Sequence, residues 1–179
     1  MTHQPDAAGA HLALPGSRVD DDPRLTAAGL LFEVASGLQA ILAAQLADHG
    51  LSGSEFEVLL RLARSPGGQL RMTDLARQAG LSASGLTRLA DRLERRELIV
   101  RRDCPTDRRG LDARITEEGC ARVTAVLPGH LELVDRWFTG PLRAEQLTAL
   151  QDALRTVRAQ VRPDADAGAH DGAPSDPAS

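Results

Sequence analysis

Apolar residues recur at intervals of three and four positions through most of the chain, the spacing that places side chains on one face of an α-helix. This pattern predicts a mostly α-helical protein. The first long helix follows from one such stripe, formed by Leu30, Leu31, Val34, Leu38, Ile41, Leu42 and Leu46. His49-Gly50 is predicted to end it, because glycine readily adopts the backbone conformation found just beyond a helix.

Capping and breaking residues predict where the later helices begin and end. Ser52 with Glu55 three residues later forms a capping box and predicts a second helix. Thr116 is expected to cap a long helix that bends at Pro128-Gly129. Gly140-Pro141 separates that helix from a final one.

The two ends of the chain differ from this pattern. Residues 1–23 and 163–179 lack periodicity and are rich in small, acidic and proline residues. Neither end can bury enough apolar surface to offset the entropy lost on ordering. We therefore predict two disordered tails and a single domain over residues 24–162.

Within the domain, Thr73–Thr116 predicts two short helices around a tight turn, followed by a β-hairpin. Thr73 is predicted to cap the first short helix, Asp74–Ala79, and Gly80 to supply the left-handed residue after it. Ser82 is predicted to cap the second short helix. A helix-turn-helix followed by a small hairpin is an arrangement that places one helix in a DNA major groove.

One face of the second short helix carries short hydroxyls followed by arginines. Successive residues of a helix are rotated by 100°, so when the leucines of this helix face inward, the residues that face outward are Ser84, Arg88, Asp91 and Arg95. Thr87 and Arg92 flank this stripe, and Gly85 leaves room for close approach. Such a face can read base edges and hold phosphates, although a merely solvated helix face has the same composition.

The hairpin that follows has a basic tip. Leu98–Arg102 and Leu111–Ile115 are predicted strands, joined by a tip of residues 103–110. Arg108-Arg109 in this tip suits a DNA minor groove, and a solubilising loop is the alternative. Asp107 is either a positioning residue for a neighbouring arginine or an ordinary turn aspartate.

The distribution of charge favours a nucleic-acid partner. The chain has a formal net charge of −4, and all 21 of its basic residues are arginine. Between Arg61 and Arg114, however, 13 arginines stand against seven acidic residues, a net charge of +6. A basic centre within an acidic chain is typical of a local phosphate-binding surface.

Other classes of function lack their motifs. The chain has no nucleophile elbow, phosphate-binding loop or catalytic carboxylate pair, so we expect no enzyme activity and no cofactor. Its five histidines are scattered, which predicts no metal site. We find no apolar run near the roughly 18 residues that span a bilayer and no signal peptide. A cytoplasmic protein without a membrane partner is expected.

The chain resembles the MarR family of winged helix-turn-helix transcriptional regulators from about Leu25 to Val161. The matching residues are the block Leu86–Arg102, the wing signature Asp107–Arg109 and the segment Ile115–Gly119 that enters the next helix. The order and spacing of these motifs carry the resemblance more than any one of them does.

The resemblance implies a homodimer held by residues 24–50 and 117–162, with residues 52–116 as the winged helix-turn-helix. Such a dimer presents two winged helices to double-stranded DNA at a pseudo-palindromic operator. The resemblance also implies repression that is relieved by a small-molecule effector, phenolic or anionic, in a cleft beside the dimer helices. Candidates for that cleft, named from the sequence, are Phe32, His49, Phe56 and Arg64.

Carried over residue by residue, the resemblance assigns DNA contacts to Ser82, Ser84, Gly85, Thr87, Arg88, Arg92, Asp107, Arg108 and Arg109. Arg95 is added because it shares the outward stripe of the second short helix. We expect the early hydroxyls and Arg88 to read bases, and Arg92 and Arg95 to hold phosphates. The two wing arginines are expected to probe the minor groove.

Two alternatives remain open at this point. Redox-sensing members of the family carry a cysteine at the start of the first helix, where this chain has none. Cys104 instead lies among wing arginines, a setting that can activate a thiol, so a redox-responsive regulator is one alternative to an incidental wing residue. Cys120 is predicted to lie in the core. The other alternative is a winged-helix protein-interaction module, which would need no arginine tip.

Overall fold

The structure, a computed structural model, describes residues 22–104 and 107–163, and of residues 107–109 the backbone alone. The elements in chain order are helices α1 (Pro23–Asp48) and α2 (Gly53–Arg64), strand β1 (Gln69–Arg71), helices α3 (Met72–Ala79) and α4 (Ala83–Arg95), strands β2 (Ile99–Cys104) and β3 (Asp107–Ile115), and helices α5 (Glu117–Val134) and α6 (Ala144–Val161). The predicted mostly α-helical fold with a winged helix-turn-helix is confirmed. The two predicted tails lie almost entirely outside the described residues.

A three-stranded antiparallel sheet in the order β1-β3-β2 forms the wing and its base. The sequence predicted only two of these strands, because β1 has three residues and is too short to show an alternating pattern. Its Leu70 pairs with Ala113 of β3. β3 also begins at Asp107, so residues 107–110 belong to a strand and not to the predicted tip. The register is irregular between Asp103 and Cys104.

Most predicted caps are confirmed. Ser52 and Glu55 form the capping box of α2, and Gly80 ends α3 with φ +68°. The Ser82 hydroxyl accepts a hydrogen bond from the Gly85 amide at 3.1 Å. Thr73 is not a cap, however. β1 leads directly into α3, so that helix begins two residues earlier than predicted, at Met72, with no side-chain cap.

The hydrophobic core joins α2, α3, α4, β2 and α5. Fully buried side chains from these elements include Leu59, Leu62, Leu75, Leu86, Leu93, Ile99 and Val126. Gly119 allows the first turn of α5 to pack on the chain before β2, since a Cβ there would lie 2.2 Å from the Leu98 carbonyl oxygen. Cys120 is exposed and not in the core as predicted, because the neighbouring Gly119 occupies the inward position of this turn.

Helix α1 carries large exposed apolar side chains. The chain divides into two units after Gly37, and the first unit exposes Leu30, Leu31, Phe32 and Val34. By length and composition alone, α1 is long and apolar enough to cross a membrane. The sequence prediction concerned an unbroken apolar run, and polar residues such as Glu33, Ser36 and Gln39 interrupt α1. An apolar helix of a soluble protein can pass the same test.

Candidate nucleic-acid interface

Helix α4 presents one polar face to solvent. On the inner face, Leu86, Leu89 and Leu93 are buried. The exposed residues on the outer face are Ser84, Thr87, Arg88 and Arg95. The Thr87 hydroxyl donates to the Ala83 carbonyl at 2.9 Å, and the Arg95 Nε donates to the Asp91 carbonyl at 3.2 Å. The structure thus brings these predicted site residues together along one exposed surface.

The arginines of this surface differ in how they are held. Within the described part of the chain, the Arg88 guanidinium has no hydrogen bond or ion pair. Arg92 is half-exposed, and its Nε lies 3.4 Å from the Glu55 Oε1 while its Nη1 lies 3.4 Å from the Arg88 carbonyl. Arg88 is therefore free to reach a partner, whereas two nitrogens of Arg92, Nε and Nη1, are already engaged.

The wing is attached to α4 through Arg101 of β2. The Arg101 Nη2 lies 2.7 Å from the Asp91 Oδ1 and 2.6 Å from the Glu94 Oε2. The Arg101 backbone amide also donates to Glu94, at 2.9 Å. These hydrogen bonds from Arg101 hold the pKa of the Glu94 carboxyl below its usual value, and they raise the pKa of the Arg101 guanidinium. The contact sets the base of the wing against the exposed helix.

Sequence reasoning missed this attachment. The sequence places Asp91 on the outward stripe of the helix, and it assigns no ion-pair partner to Asp91, Glu94 or Arg101. The sequence signals that could have indicated the contact were the opposite charges of these residues and the closeness of α4 to β2 along the chain. Sequence spacing alone does not show which of several nearby arginines they would bind.

The wing arginines are described only in part. Residues 107–110 continue β3 antiparallel to β2, which forms the hairpin that the sequence predicted. The side chains of Asp107, Arg108 and Arg109 lie outside the described residues, so their roles stay predictions. Cys104 at the end of β2 is 7% exposed, a burial that does not favour a redox-responsive thiol.

A cavity of about 600 Å³ lies among the second half of α1, α2 and the end of α3. Its lining includes Phe56, His130 and Arg162. The Phe56 and His130 ring centroids are 4.8 Å apart, and burial lowers the pKa of His130. The Arg162 Nη2 donates to the Gln78 carbonyl at 2.9 Å. The cavity offers aromatic, imidazole and guanidinium groups.

Of the four residues suggested for a ligand cleft, Phe56 lines this cavity. His49 and Arg64 are not among its lining residues. The His49 carbonyl accepts a hydrogen bond from Arg122 at 3.1 Å, and Arg64 is exposed at the end of α2. Phe32 belongs to the first unit, where it is 71% exposed. Among the described residues, no group of three or more His, Cys, Asp or Glu is placed to hold a metal ion.

Comparison with known proteins agrees with this arrangement. Residues 49–110 match a model of the MarR family. The chain is 31% identical over 109 residues to the HTH-type transcriptional regulator MhqR of Bacillus subtilis, covering 61% of this chain and 73% of that protein.

Two solved structures from Streptomyces coelicolor are similar over nearly their whole length. The MarR family regulator AbsC is 35% identical with a TM-score of 0.76, covering 82% of this chain and 99% of AbsC. Sco3205, solved in complex with DNA, is 31% identical with a TM-score of 0.75, covering 87% of this chain and 98% of Sco3205. With the same order of helices, the exposed α4 and the wing, this chain belongs to the MarR family of transcriptional regulators.

Proposed function

We propose that this chain is a homodimeric repressor that binds a pseudo-palindromic DNA operator and is released by a small ligand. The observation that carries the proposal is the exposed face of α4, whose Arg88 guanidinium has no partner among the described residues, beside a wing anchored through Arg101. A helix that projects arginine next to a β-hairpin matches the geometry of major-groove readers with a backbone or minor-groove contact alongside. The DNA complex of the similar protein Sco3205 supports this assignment.

The proposed contacts divide into three groups. Ser84, Thr87 and Arg88 read base edges in the major groove, because they lie early or centrally on the exposed face. Ser82 and Gly85 at the start of α4 allow the backbone to approach closely. Arg92 and Arg95 contact phosphates. Asp107, Arg108 and Arg109 form the wing contact with the minor groove.

Dimerisation is supported by apolar surface that a single chain leaves exposed. Helix α6 exposes Leu154, Val157 and Val161, and Trp137, in the π-helical turn Asp135–Thr139 that follows α5, is 57% exposed. Exposed apolar residues at this density mark an interface. In the proposed homodimer the first and last helices bury these side chains, and the protein acts in the cytoplasm, where its DNA lies.

A small-molecule effector is supported by the cavity between α1, α2 and α3. Its volume of about 600 Å³ is within the range of small-ligand sites, which is roughly 300–1,000 Å³. Phe56 and His130 provide ring surfaces, and Arg162 provides a cation. These groups suit an aromatic or anionic compound, whose binding would change the position of the DNA-reading helices.

The experiment is a titration of the protein with the DNA upstream of its own gene and with a random duplex, at several salt concentrations. We expect preference for the upstream duplex and a steep loss of affinity with salt. Arg108→Ala and Arg109→Ala should each flatten the salt slope by about one unit. Arg24→Ala removes the same charge from a side chain that is 88% exposed on α1, and serves as the matched control.

Two further arms of the same titration test base reading and release. Arg88→Ala should weaken binding and relax sequence preference, whereas a uniform loss across sequences would make Arg88 a phosphate contact. A panel of small aromatic acids should displace the wild-type protein from the upstream duplex. Equal affinity for both duplexes at low salt would contradict sequence-specific repression and would favour a protein-interaction module.

A further inference from the structure

The Glu55 carboxylate joins two helices that sequence reasoning treated separately. Glu55 lies in the first turn of α2, and its side chain is only 9% exposed. Its Oε2 accepts hydrogen bonds from the Ser52 amide at 2.9 Å and from the Ser52 hydroxyl at 3.1 Å. On its other side it faces two arginines, Arg92 of α4 and Arg96 just after α4.

Both arginines are within ion-pair distance. The Arg92 Nε lies 3.4 Å from Glu55 Oε1, and the Arg96 Nη1 lies 3.6 Å from Glu55 Oε2. Burial by itself would raise the pKa of Glu55, but the hydrogen bonds from Ser52 and Arg92 and the charge of Arg96 outweigh it and lower that pKa. The carboxylate is therefore ionised and fully engaged at neutral pH.

The geometry at Arg92 leaves part of its guanidinium available. Its Nε faces Glu55, its Nη1 donates to the Arg88 carbonyl at 3.4 Å, and the side chain is 49% exposed. A planar guanidinium held at these two nitrogens can present its remaining N–H groups, those of Nη2 above all, to a phosphate in a defined direction. Arg96 adds a second link, because its Nη2 donates to the Gly50 carbonyl at 2.9 Å in the α1–α2 connection.

We propose that Glu55 is a positioning residue for DNA binding, which orients Arg92 toward a phosphate and fixes the end of α4 through Arg96. The inference rests on the proposed DNA-binding function. Loss of these contacts leaves Arg92 as a flexible cation on the interface. The affinity for the specific sequence then falls, because Arg92 is no longer oriented, while the affinity for non-specific DNA stays the same or grows. Glu55 thereby contributes to sequence discrimination without touching DNA.

The test compares Glu55→Gln with Glu57→Gln. Glutamine at position 55 can keep the capping box, so α2 keeps its start. Glu57 lies two residues further along α2 and pairs with Arg61 at 2.6 Å, so its substitution makes the same change in net charge away from α4. Dissociation constants are measured for a duplex selected from a random library with the wild-type protein and for a scrambled duplex of the same composition.

We expect Glu55→Gln to lower the ratio of specific to non-specific affinity by about three- to tenfold, and Glu57→Gln to leave it unchanged. Arg92→Gln should lower the ratio similarly, and the double variant Glu55→Gln with Arg92→Gln should be little worse than Arg92→Gln alone. Equal ratios for the two glutamate variants would overturn the inference. A fall in both affinities in parallel with a lower unfolding midpoint would do so too, since it would make Glu55 merely structural.

The outcome for the wild-type protein separates this inference from the proposed function. A selection with the wild-type protein that enriches no duplex, together with no binding to random duplex at low salt, would refute DNA binding itself. Wild-type protein that discriminates between the duplexes, with an unchanged ratio in Glu55→Gln, would refute only the role of Glu55.

Discussion

At the residue scale, individual arginines have different roles because their surroundings differ. Arg88 faces solvent from α4 and pairs with no residue in the part of the chain that the structure describes, whereas Arg101 lies between the carboxylates of Asp91 and Glu94. Arg96 binds a backbone carbonyl at Gly50. An unpaired exposed guanidinium can reach a nucleic acid without first breaking an internal contact, and one held by two carboxylates cannot. Exposure and partners therefore decide which arginines serve the interface.

His130 makes stability depend on pH. Burial lowers its pKa below the ordinary value of 6.5, so the unfolded chain takes up a proton more readily than the folded one. The contribution of neutral His130 to the free energy of unfolding is complete above pH 6.5 and is lost as the pH falls below that value. We expect the unfolding temperature, followed by circular dichroism, to fall from pH 7.5 to 5.5 more steeply in the wild-type protein than in His130→Asn. The same substitution at His49 is the control, and parallel curves for His130→Asn and wild type would contradict this role of His130.

At the scale of elements, the molecule positions its wing with a few contacts between β2, α4 and α5. Gly119 lets α5 begin directly against the Leu98 carbonyl, and Arg101 attaches β2 to α4. The two contacts lie at the base of the hairpin. They restrict where the wing can point relative to the exposed helix face, which is what a two-part DNA contact requires.

Arg101→Ala should destabilise the fold by about 1 kcal/mol, because it leaves the neighbouring carboxylates of Asp91 and Glu94 without their cation. Urea unfolding measures this change. Arg102→Ala removes an exposed arginine from the next position of β2 and should change stability by less than about 0.5 kcal/mol. If the two variants unfold at the same urea concentration, Arg101 does not anchor the wing energetically.

At the scale of the whole molecule, a single chain leaves apolar surface exposed on its first and last helices, α1 and α6. Leu30 and Leu31 on α1 and Val157 and Val161 on α6 are each roughly half-exposed or more. Burying such side chains between two copies contributes about 25 cal/mol per Å² of apolar area. In the proposed homodimer, burial of these apolar side chains stabilises α1 and α6.

We expect analytical ultracentrifugation to give a mass twice the 19.1 kDa of one chain. Val157→Asp should dissociate or aggregate the protein, because it places a charge within the proposed apolar interface. Ala159→Asp, on the opposite side of α6, should leave the dimer intact. Deleting residues 143–162 should give an aggregated or unfolded chain, and a stable, well-folded monomer would contradict the assignment of these helices.

Local signals in the sequence predicted much of this protein. The capping box at Ser52, the left-handed Gly80 and the cap at Ser82 each depend on residues within a few positions, so they could be identified without a fold. The order of two short helices and a hairpin likewise followed from periodicity. The short strand β1 and the exposure of Cys120 could not, because both depend on how distant segments pack.

The sequence by itself thus determined most helix boundaries, the winged helix-turn-helix and the face of α4 that points outward, since each follows from local spacing. Only the tertiary structure decided which charges meet. Glu55 and Arg92 are 37 positions apart, and they pair because the core brings α2 against α4. Ion-pair partners depend on distances of a few ångströms in three dimensions, and a linear pattern of charges does not contain them.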